Sequence, residues 1–244
     1  MFNWFRKKQP KLEPIGFSNI GTDIHSHLIP GIDDGAKDLD DSISLIKNFK
    51  DLGFNKIITT PHIMSDLYQN TPSIIHAGLE TLKKELIKQE IDIDISAAAE
   101  YYVDYDFEQK IGKEEFLFFG EKYILIEFSF LEAPRNMYDI IFKLQLEGYI
   151  VVLAHPARYQ YFSLDDYNAL IERGVLFQLN LLSLIGYYSM EVKINAELLI
   201  KHQFVSFVGT DCHNLNQAKL YHKCETISSW HQLIESDKLL NSSL

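Results

Sequence analysis

The stretch TDIHSHLIPGIDDG (residues 22–35) carries the strongest local pattern in this sequence. A short run typical of a β-strand leads into His25 and His27, and Asp33 and Asp34 follow closely. Residues i and i+2 of a strand point to the same face, so both imidazoles can turn to one side. So many polar groups behind the first strand predict a binding or catalytic site there.

Short apolar runs, rich in β-branched residues and too short for helices, are predicted to be strands. They lie at 22–27, 56–62, 93–100, 123–128, 150–155, 176–182 and 205–213. Amphipathic segments with helical spacing separate them. This strict alternation predicts an α/β fold with a parallel sheet, most simply a closed or nearly closed βα barrel. An open doubly wound sheet is the alternative, but the sequence has no GxGxxG motif and no P-loop to support a nucleotide-binding version.

The predicted helices carry apolar residues on one face and end signals at both termini. The first has Ile43, Ile46, Phe49 and Leu52, and the second has Ile75, Leu79, Leu82 and Leu86. Thr71 and Pro72 form a typical helix start. Gly53, Gly148 and Gly174 follow helices, where a left-handed residue is favoured.

The length of 244 residues suits one barrel domain, which we expect over residues 20–244. Residues 1–19 are predicted to be a flexible or peripheral extension. No apolar stretch is long enough for a membrane helix, and the start MFNWFRKKQPK lacks the features of a signal peptide. We therefore expect a cytoplasmic protein. The two cysteines, Cys212 and Cys224, are too few for a disulfide framework and suit a reducing compartment.

The net charge of −11 indicates which partners to expect. The first eleven residues carry four basic side chains and no acid, so the rest of the chain is more acidic still and would repel nucleic acid. A role as a polymerase-associated exonuclease is therefore not expected. The basic, aromatic start offers weak peripheral contact with an anionic membrane, although a frayed terminus is the favoured interpretation. Its residues are Phe2, Trp4, Phe5, Arg6, Lys7, Lys8 and Lys11.

Ligand-type side chains end six of the predicted strands, and only the run 176–182 ends without one. They are His25, His27, His62, Glu100, Glu127, His155, Asp211 and His213. Active sites of βα barrels lie at these carboxyl ends. One strand-end histidine is usually structural, but five of them interleaved with three carboxylates predict a site for divalent metal. Glu100, from a middle strand, could bridge two ions.

The motifs DIHSHLIPGIDDG, TPH, AAAEYY, LIEF, AHPAR and GTDCHN occur in this order and spacing. Together they resemble the polymerase-and-histidinol-phosphatase (PHP) family, and most closely its bacterial protein tyrosine phosphatases of the CpsB/CapC type, which are encoded with capsular and exopolysaccharide genes. The resemblance runs from about residue 20 to residue 216. It implies a distorted (β/α)7 barrel with three divalent ions, commonly manganese, with iron or zinc as alternatives.

The resemblance also implies a role for individual residues. One ion would bind His25, His27, Glu100 and Asp211; a second would share Glu100 and add Glu127 and His155; the third would bind Asp34, His62 and His213. Asp34 is preferred to Asp33 because it matches the family motif, whereas spacing alone does not distinguish them.

Arg158 in AHPAR is the candidate phosphate-binding residue, because a guanidinium can donate two hydrogen bonds to phosphate. Its alternative is a surface ion pair. The predicted catalytic set is Arg158, Asp34, His62 and His213. A second basic residue of the related enzymes falls near Ala218 and Lys219, where Lys219 is the candidate substitute.

The expected chemistry is hydrolysis of phosphotyrosine by metal-activated water, on the tail of a bacterial tyrosine kinase that governs polysaccharide export. A cysteine phosphatase mechanism is excluded, because Ala218 and Trp230 stand where an arginine is needed six residues after each cysteine. A GxSxG elbow is missing too. The alternatives are a small-molecule phosphatase, such as histidinol phosphatase, and a kinase-binding module with structural metals. The sequence does not specify the oligomeric state.

Aromatic residues follow several predicted strands and have two interpretations. They could stack on a phosphotyrosine ring, or they could be ordinary packing. The residues are Tyr101, Tyr102, Tyr105, Tyr159, Tyr161, Phe162, Tyr187 and Tyr188.

Overall fold

A computed structural model describes residues 12–244 of the chain. Its strands are all parallel to their sheet neighbours and alternate with helices. The strands are β1 (Thr22–Asp23), β2 (Lys56–Thr59), β3 (His62–Ile63), β4 (Asp94–Ala97), β5 (Glu100–Tyr102), β6 (Tyr123–Glu127), β7 (Ile150–Ala154), β8 (Leu176–Asn180) and β9 (Val205–Gly209).

Two of the predicted strands are each broken into a pair of short strands. The run 56–62 becomes β2 and β3, and the run 93–100 becomes β4 and β5. Pro61 explains the first break, since proline has no N–H to donate to a sheet. Backbone bonds from Ala98 to the Thr59 carbonyl (2.9 Å) and from Glu100 to the Pro61 carbonyl (3.2 Å) carry the pairing across both breaks.

Seven strand positions therefore surround the axis, in the order β1, β2/β3, β4/β5, β6, β7, β8 and β9. They form two parallel sheets, β1–β2–β4 and β3–β5–β6–β7–β8–β9, and do not close into one continuous hydrogen-bonded cylinder. The prediction of a distorted (β/α)7 barrel is confirmed.

The seam between β9 and β1 is joined mainly beyond the two strands. There, the N–H of Asp211 donates to the His25 carbonyl (2.7 Å) and that of His27 to the Cys212 carbonyl (3.0 Å). Deeper in the seam, the buried Asp23 carboxylate accepts from the backbone N–H (2.8 Å) and the hydroxyl (3.1 Å) of Thr210. A side chain thus joins the strands where backbone pairing is missing.

Helices cover the outside of the sheets, as the apolar periodicity predicts. Ile43, Ile46 and Phe49 of the first helix are buried, and so are all four predicted residues of the second. The Thr71 hydroxyl accepts a bond from the Ile74 N–H, which caps the second helix. The helices are α1 (Leu39–Leu52), α2 (Pro72–Lys88), α3 (Tyr105–Lys110), α4 (Met137–Leu146), α5 (Leu164–Glu172), α6 (Met190–Lys201), α7 (Leu215–Ala218) and α8 (Ser228–Glu235).

A small apolar cluster, separate from the larger core between sheets and helices, includes Leu125, Val152 and Phe207. In β6, the neighbours of Leu125 on either side belong to the larger core, so successive residues alternate between the two clusters. Glu127 follows Leu125 by two positions and therefore shares its face. The small cluster lies inside the barrel, beneath the ligand-type side chains.

The extension predicted over residues 1–19 is described from residue 12 onward. Phe17 is fully buried and stacks on Phe54, with ring centroids 5.3 Å apart. The Trp230 indole N–H donates to the Ile15 carbonyl at 2.7 Å. Residues 15–17 thus pack against α8, and the membrane contact predicted for the basic start lies outside the described residues. No helix within 12–244 is both long and apolar enough to cross a membrane.

Candidate metal centre

The structure brings all nine predicted ligand residues into one cluster at the carboxyl ends of the strands. Each histidine has a ring nitrogen within 3.6 Å of a carboxylate oxygen of the cluster, and each carboxylate has an oxygen within 3.6 Å of a histidine ring nitrogen. The shared face of β6 puts Glu127 above Leu125, and in β9 Phe207 and Gly209 share the face that points into the barrel. Gly209 is required there, because a Cβ would lie 2.7 Å from that of His25.

Two of these residues adopt the left-handed backbone conformation, which is uncommon for residues other than glycine. His155 has φ of 37° and Asp211 has φ of 52°, each directly or shortly after its strand. Strained backbone at such positions persists only when surrounding contacts enforce it, and it concentrates at functional sites. Here it turns both side chains toward the cluster.

The deepest group consists of His25, His27, Glu100 and Asp211, all buried. Nε2 of His25 lies 3.0 Å from Glu100 and 3.4 Å from Asp211, and Nε2 of His27 lies 3.5 Å and 3.4 Å from the same carboxylates. Two imidazoles and two carboxylates around one point form a ligand set typical of a divalent transition metal.

A second group lies around Glu100 and Glu127. Nδ1 of His62 is 3.2 Å from Glu100 and 3.0 Å from Glu127, and these three residues can converge on one ion. Nε2 of His155 is 2.9 Å from Glu100 and 3.6 Å from Glu127. The predicted partner His155 is thus present, and His62 lies equally close.

The third group is the most exposed. It consists of Asp34, His62 and His213, and His27 also reaches it. The Asp34 carboxylate lies 3.6 Å from His62 and 3.4 Å from His213, and its side chain is 52% exposed, against 12% and 17% for the two histidines. A substrate can therefore approach the cluster from the Asp34 side.

Asp33 has a different position from its neighbour Asp34. Its Oδ2 lies 2.8 Å from Nδ1 of His27, and its carboxylate accepts from the backbone N–H groups of Gly35 (3.0 Å) and His62 (3.1 Å). His27 and these contacts overcome the effect of burial and lower the pKa of Asp33 to about 2. Asp33 thus lies behind the predicted ligand His27, in the position that outer carboxylates take in metal sites.

The strand without a predicted ligand, β8, supplies two buried amides to the cluster. Oε1 of Gln178 lies 2.8 Å from Nδ1 of His25, and Asn180 donates to Asp211 at 2.6 Å. The two amides are joined by a bond of 3.0 Å. Sequence reasoning missed both, although two polar residues at alternate positions of an apolar strand are a usable signal.

Arg158 lies beside the cluster at the end of the loop after β7. Its Nη1 is 3.6 Å from Asp211, and its guanidinium stacks between the rings of Phe130 (4.0 Å) and Tyr188 (4.7 Å). The side chain is 26% exposed. Held by two rings and one carboxylate, the guanidinium keeps a fixed direction beside the cluster.

Carboxylates dominate the electrostatics of the cluster. Burial lowers the pKa of His25, but Glu100 and Asp211 outweigh it and raise the pKa to about 9. The pKa values of His27 and His62 are also raised against burial by neighbouring carboxylates. Protons on these imidazoles thus balance the acids, and a divalent cation can replace them.

Several buried polar atoms at the cluster make no hydrogen bond within the described residues. They are Nε2 of His27, Nδ1 of His62, Oε1 of Glu127 and Nδ1 of His155. Orphaned buried groups are rare and call for an explanation. Nε2 of His27 lies 3.5 Å from a Glu100 oxygen, and Nδ1 of His62 lies 3.0 Å from Oε1 of Glu127. A divalent ion bound between such atoms would satisfy them, so the residues fit divalent ions.

Comparison with known families places the chain. The family model described as "Capsular polysaccharide synthesis, CpsB/CapC" matches residues 21–229. The chain belongs to the CpsB/CapC family. Tyrosine-protein phosphatase YwqE of Bacillus subtilis is 34% identical over 209 residues, covering 84% of this chain and 82% of YwqE. Tyrosine-protein phosphatase CpsB of Streptococcus agalactiae is 28% identical over 204 residues, covering 80% and 83%.

A solved structure agrees with this membership. The crystal structures of YwqE from Bacillus subtilis and CpsB from Streptococcus pneumoniae, described as unique metal-dependent tyrosine phosphatases, contain a chain that matches with a TM-score of 0.80. The identity is 31%, and the match covers 91% of this chain and 90% of that chain. The predicted family is confirmed.

The remaining predicted residues of this CpsB/CapC chain have varied positions. Tyr101 and Tyr159 are buried, and their hydroxyls accept backbone bonds, so they are packing residues. Tyr105 and Tyr187 are exposed by 73% and 45%. Lys219 is exposed just after α7, and its role stays a prediction.

Proposed function

We propose that this chain is a metal-dependent protein-tyrosine phosphatase that acts on phosphotyrosines in the tail of a bacterial tyrosine kinase in capsule or exopolysaccharide synthesis. The observation that carries the proposal is the convergence of nine imidazole and carboxylate side chains on one cluster with an open side. Membership of the CpsB/CapC family and the names of the relatives support the reaction class.

Three divalent ions, with manganese preferred over iron or zinc, are proposed for the cluster. The first would bind His25, His27, Glu100 and Asp211. The second would bind Glu100 and Glu127 with His155, and the third would bind Asp34, His62 and His213. When bound, such ions lower the pKa of water and polarise phosphoryl oxygens.

The side chains at the open face then bind and orient the phosphate. Arg158 donates to its peripheral oxygens, and stacking on Phe130 and Tyr188 holds the guanidinium in plane. Asp34, His62 and His213 would hold the outermost ion at the exposed side of the cluster. The buried groups behind them exclude water and fix the geometry.

The surroundings of the mouth favour a protein substrate. Leu131 is 90% exposed, Phe130 is 45% exposed and Leu67 is 70% exposed, on loops that follow strands. Such surfaces can accept residues on either side of a phosphotyrosine.

The test measures the metal content of the purified protein and compares its hydrolysis of a phosphotyrosine peptide with that of histidinol phosphate. We expect the purified protein to contain divalent metal, to hydrolyse a phosphotyrosine peptide and to lose activity with a chelator. His27→Ala and Asp211→Ala should abolish hydrolysis while the fold is retained. His76→Ala, which changes an exposed histidine on α2, is the matched control and should keep full activity.

Each other outcome has a definite meaning. Full activity in His27→Ala or Asp211→Ala would refute the assignment of the centre. Faster hydrolysis of histidinol phosphate than of the peptide would favour the small-molecule phosphatase. Bound metal without turnover on either substrate would favour a kinase-binding module.

A further inference from the structure

Phe130 occupies a fixed position in the loop that follows β6. The Tyr159 hydroxyl accepts a bond from the Phe128 N–H at 3.0 Å, and the Tyr161 hydroxyl donates to the Ser129 carbonyl at 2.8 Å. Both bonds come from the segment after β7 and hold the residues immediately before Phe130. The loop therefore presents the ring in a defined place.

The ring of Phe130 lies close both to Arg158 and to the candidate metal centre. The Arg158 guanidinium is 4.0 Å from its centroid, and the His155 ring is 5.5 Å away. Even so, 45% of the residue is exposed. A large apolar ring with free surface next to buried ligands is suited to contact a substrate rather than the core.

We propose that Phe130 is a specificity-determining residue that stacks on the aromatic ring of the phosphotyrosine. The inference rests on the proposed function, because it needs a phosphate ester bound at Arg158. With the phosphate on that guanidinium, the group esterified to it lies within reach of Phe130. Aromatic rings interact at centroid distances of about 4.5–7 Å, whereas an alkyl ester offers no ring to stack.

Other aromatic residues near the mouth are less suited to this contact. The hydroxyl of Tyr159 is engaged by the loop, and its side chain is fully buried. The Tyr188 ring also packs on Arg158, at 4.7 Å, and its hydroxyl accepts a bond from Asn180 at 3.0 Å. Phe130, in contrast, both contacts Arg158 and leaves 45% of its surface exposed to an incoming substrate.

The experiment compares an aryl and an alkyl phosphate analogue as competitive inhibitors of the metal-loaded enzyme. Phenylphosphonate and methylphosphonate share the phosphonate group, which would bind Arg158, and differ in carrying a phenyl ring or a methyl group. In Phe130→Ala, the preference for phenylphosphonate should fall about tenfold, the size of a lost aromatic contact. Inhibition by methylphosphonate should weaken much less than inhibition by phenylphosphonate, because Tyr188 and Asp211 still hold the Arg158 guanidinium.

Two variants serve as references. Leu131→Ala removes the neighbouring side chain, which is 90% exposed, and should leave the preference unchanged. Phe130→Leu keeps apolar cover on Arg158 without a ring and should also lower the preference, which provides a second measurement if Phe130→Ala folds poorly. For the phosphotyrosine peptide, Phe130→Ala should raise KM by a larger factor than it lowers kcat.

Two results would overturn the inference. An equal loss of both inhibitors would mean that Phe130 acts only by positioning Arg158. An unchanged preference in both Phe130 variants would mean that the ring does not contact the aryl group. Wild-type enzyme that fails to hydrolyse the phosphotyrosine peptide would instead refute the proposed function. Direct binding of the two phosphonates, measured by calorimetry without turnover, would still test Phe130.

Discussion

Oδ2 of Asp33 lies 2.8 Å from Nδ1 of His27, whereas the adjacent Asp34 contacts His62 and His213 at the open face. Two neighbouring carboxylates thus serve opposite sides of one centre. The inner one holds a ligand ring in position, and the outer one is itself a proposed ligand. This division leads to different expectations for their variants.

Asp33→Asn should weaken metal binding by about tenfold to a hundredfold, the usual effect of removing an orienting carboxylate. Asp34→Asn should instead remove one ion per chain, because its contacts are confined to the outermost group. Titration with manganese and measurement of bound metal distinguish these results. Equal losses of affinity and stoichiometry in both variants would contradict the division.

Arg158→Ala should raise KM for a phosphotyrosine peptide by about tenfold or more, since a bidentate contact with phosphate is lost. Arg158→Lys should recover only part of this, because an ammonium lacks the planar fork. Steady-state kinetics measure both. Arg173→Ala is the matched control, since Arg173 also stacks on a tyrosine, Tyr138, at 4.3 Å. Kinetics of Arg158→Ala like those of this control would show that Arg158 does not bind phosphate.

Asp23→Asn should change how stability depends on pH. Burial outweighs the bonds from Thr210 and raises the pKa of Asp23 to about 6 from 3.8. Between these values the carboxyl is ionised in the unfolded chain and protonated in the native state, so wild type loses about 3 kcal/mol of stability as pH rises through this window. Asp23→Asn has no such loss and keeps a carbonyl for the Thr210 N–H.

Urea unfolding of the metal-free protein at pH 4 and pH 7 tests this expectation. The free energy of unfolding of wild type, relative to that of Asp23→Asn, should be lower at pH 7 than at pH 4. Asp94→Asn, at a side chain 65% exposed, is the control and should show no comparable change. A difference between wild type and Asp23→Asn that is constant with pH would contradict the argument.

Thiol reagents should not inactivate the native enzyme. Both cysteines are buried, and burial raises the pKa of Cys212 and of Cys224 to about 12, so neither forms the reactive thiolate near neutral pH. Iodoacetamide at pH 8 should leave activity on a phosphotyrosine peptide unchanged and label the cysteines only after denaturation. Rapid labelling of native protein with parallel loss of activity would contradict a cysteine-independent reaction.

Much of the fold and of the ligand set could be predicted because both depend on short-range pattern. Strand and helix periodicities are local, and a parallel arrangement puts all strand ends at one edge. The breaks in these strands could not be located, since the backbone bonds that span them, from Ala98 to Thr59 and from Glu100 to Pro61, join segments far apart in the sequence. Nor did the sequence identify Gln178 and Asn180, whose amides matter only through contacts with His25 and Asp211.

The sequence by itself determined that imidazoles and carboxylates would follow successive strands, because their spacing is a property of the chain. Only the tertiary structure decided how they divide into groups. It puts His62 closer to Glu127 (3.0 Å) than His155 (3.6 Å). It also puts Asp33 behind His27 and the Phe130 ring against Arg158. The physical reason is that ligand geometry depends on differences of a few tenths of an ångström in the distances between residues that are far apart in the chain. Packing and backbone turns set those distances, and local pattern does not encode them.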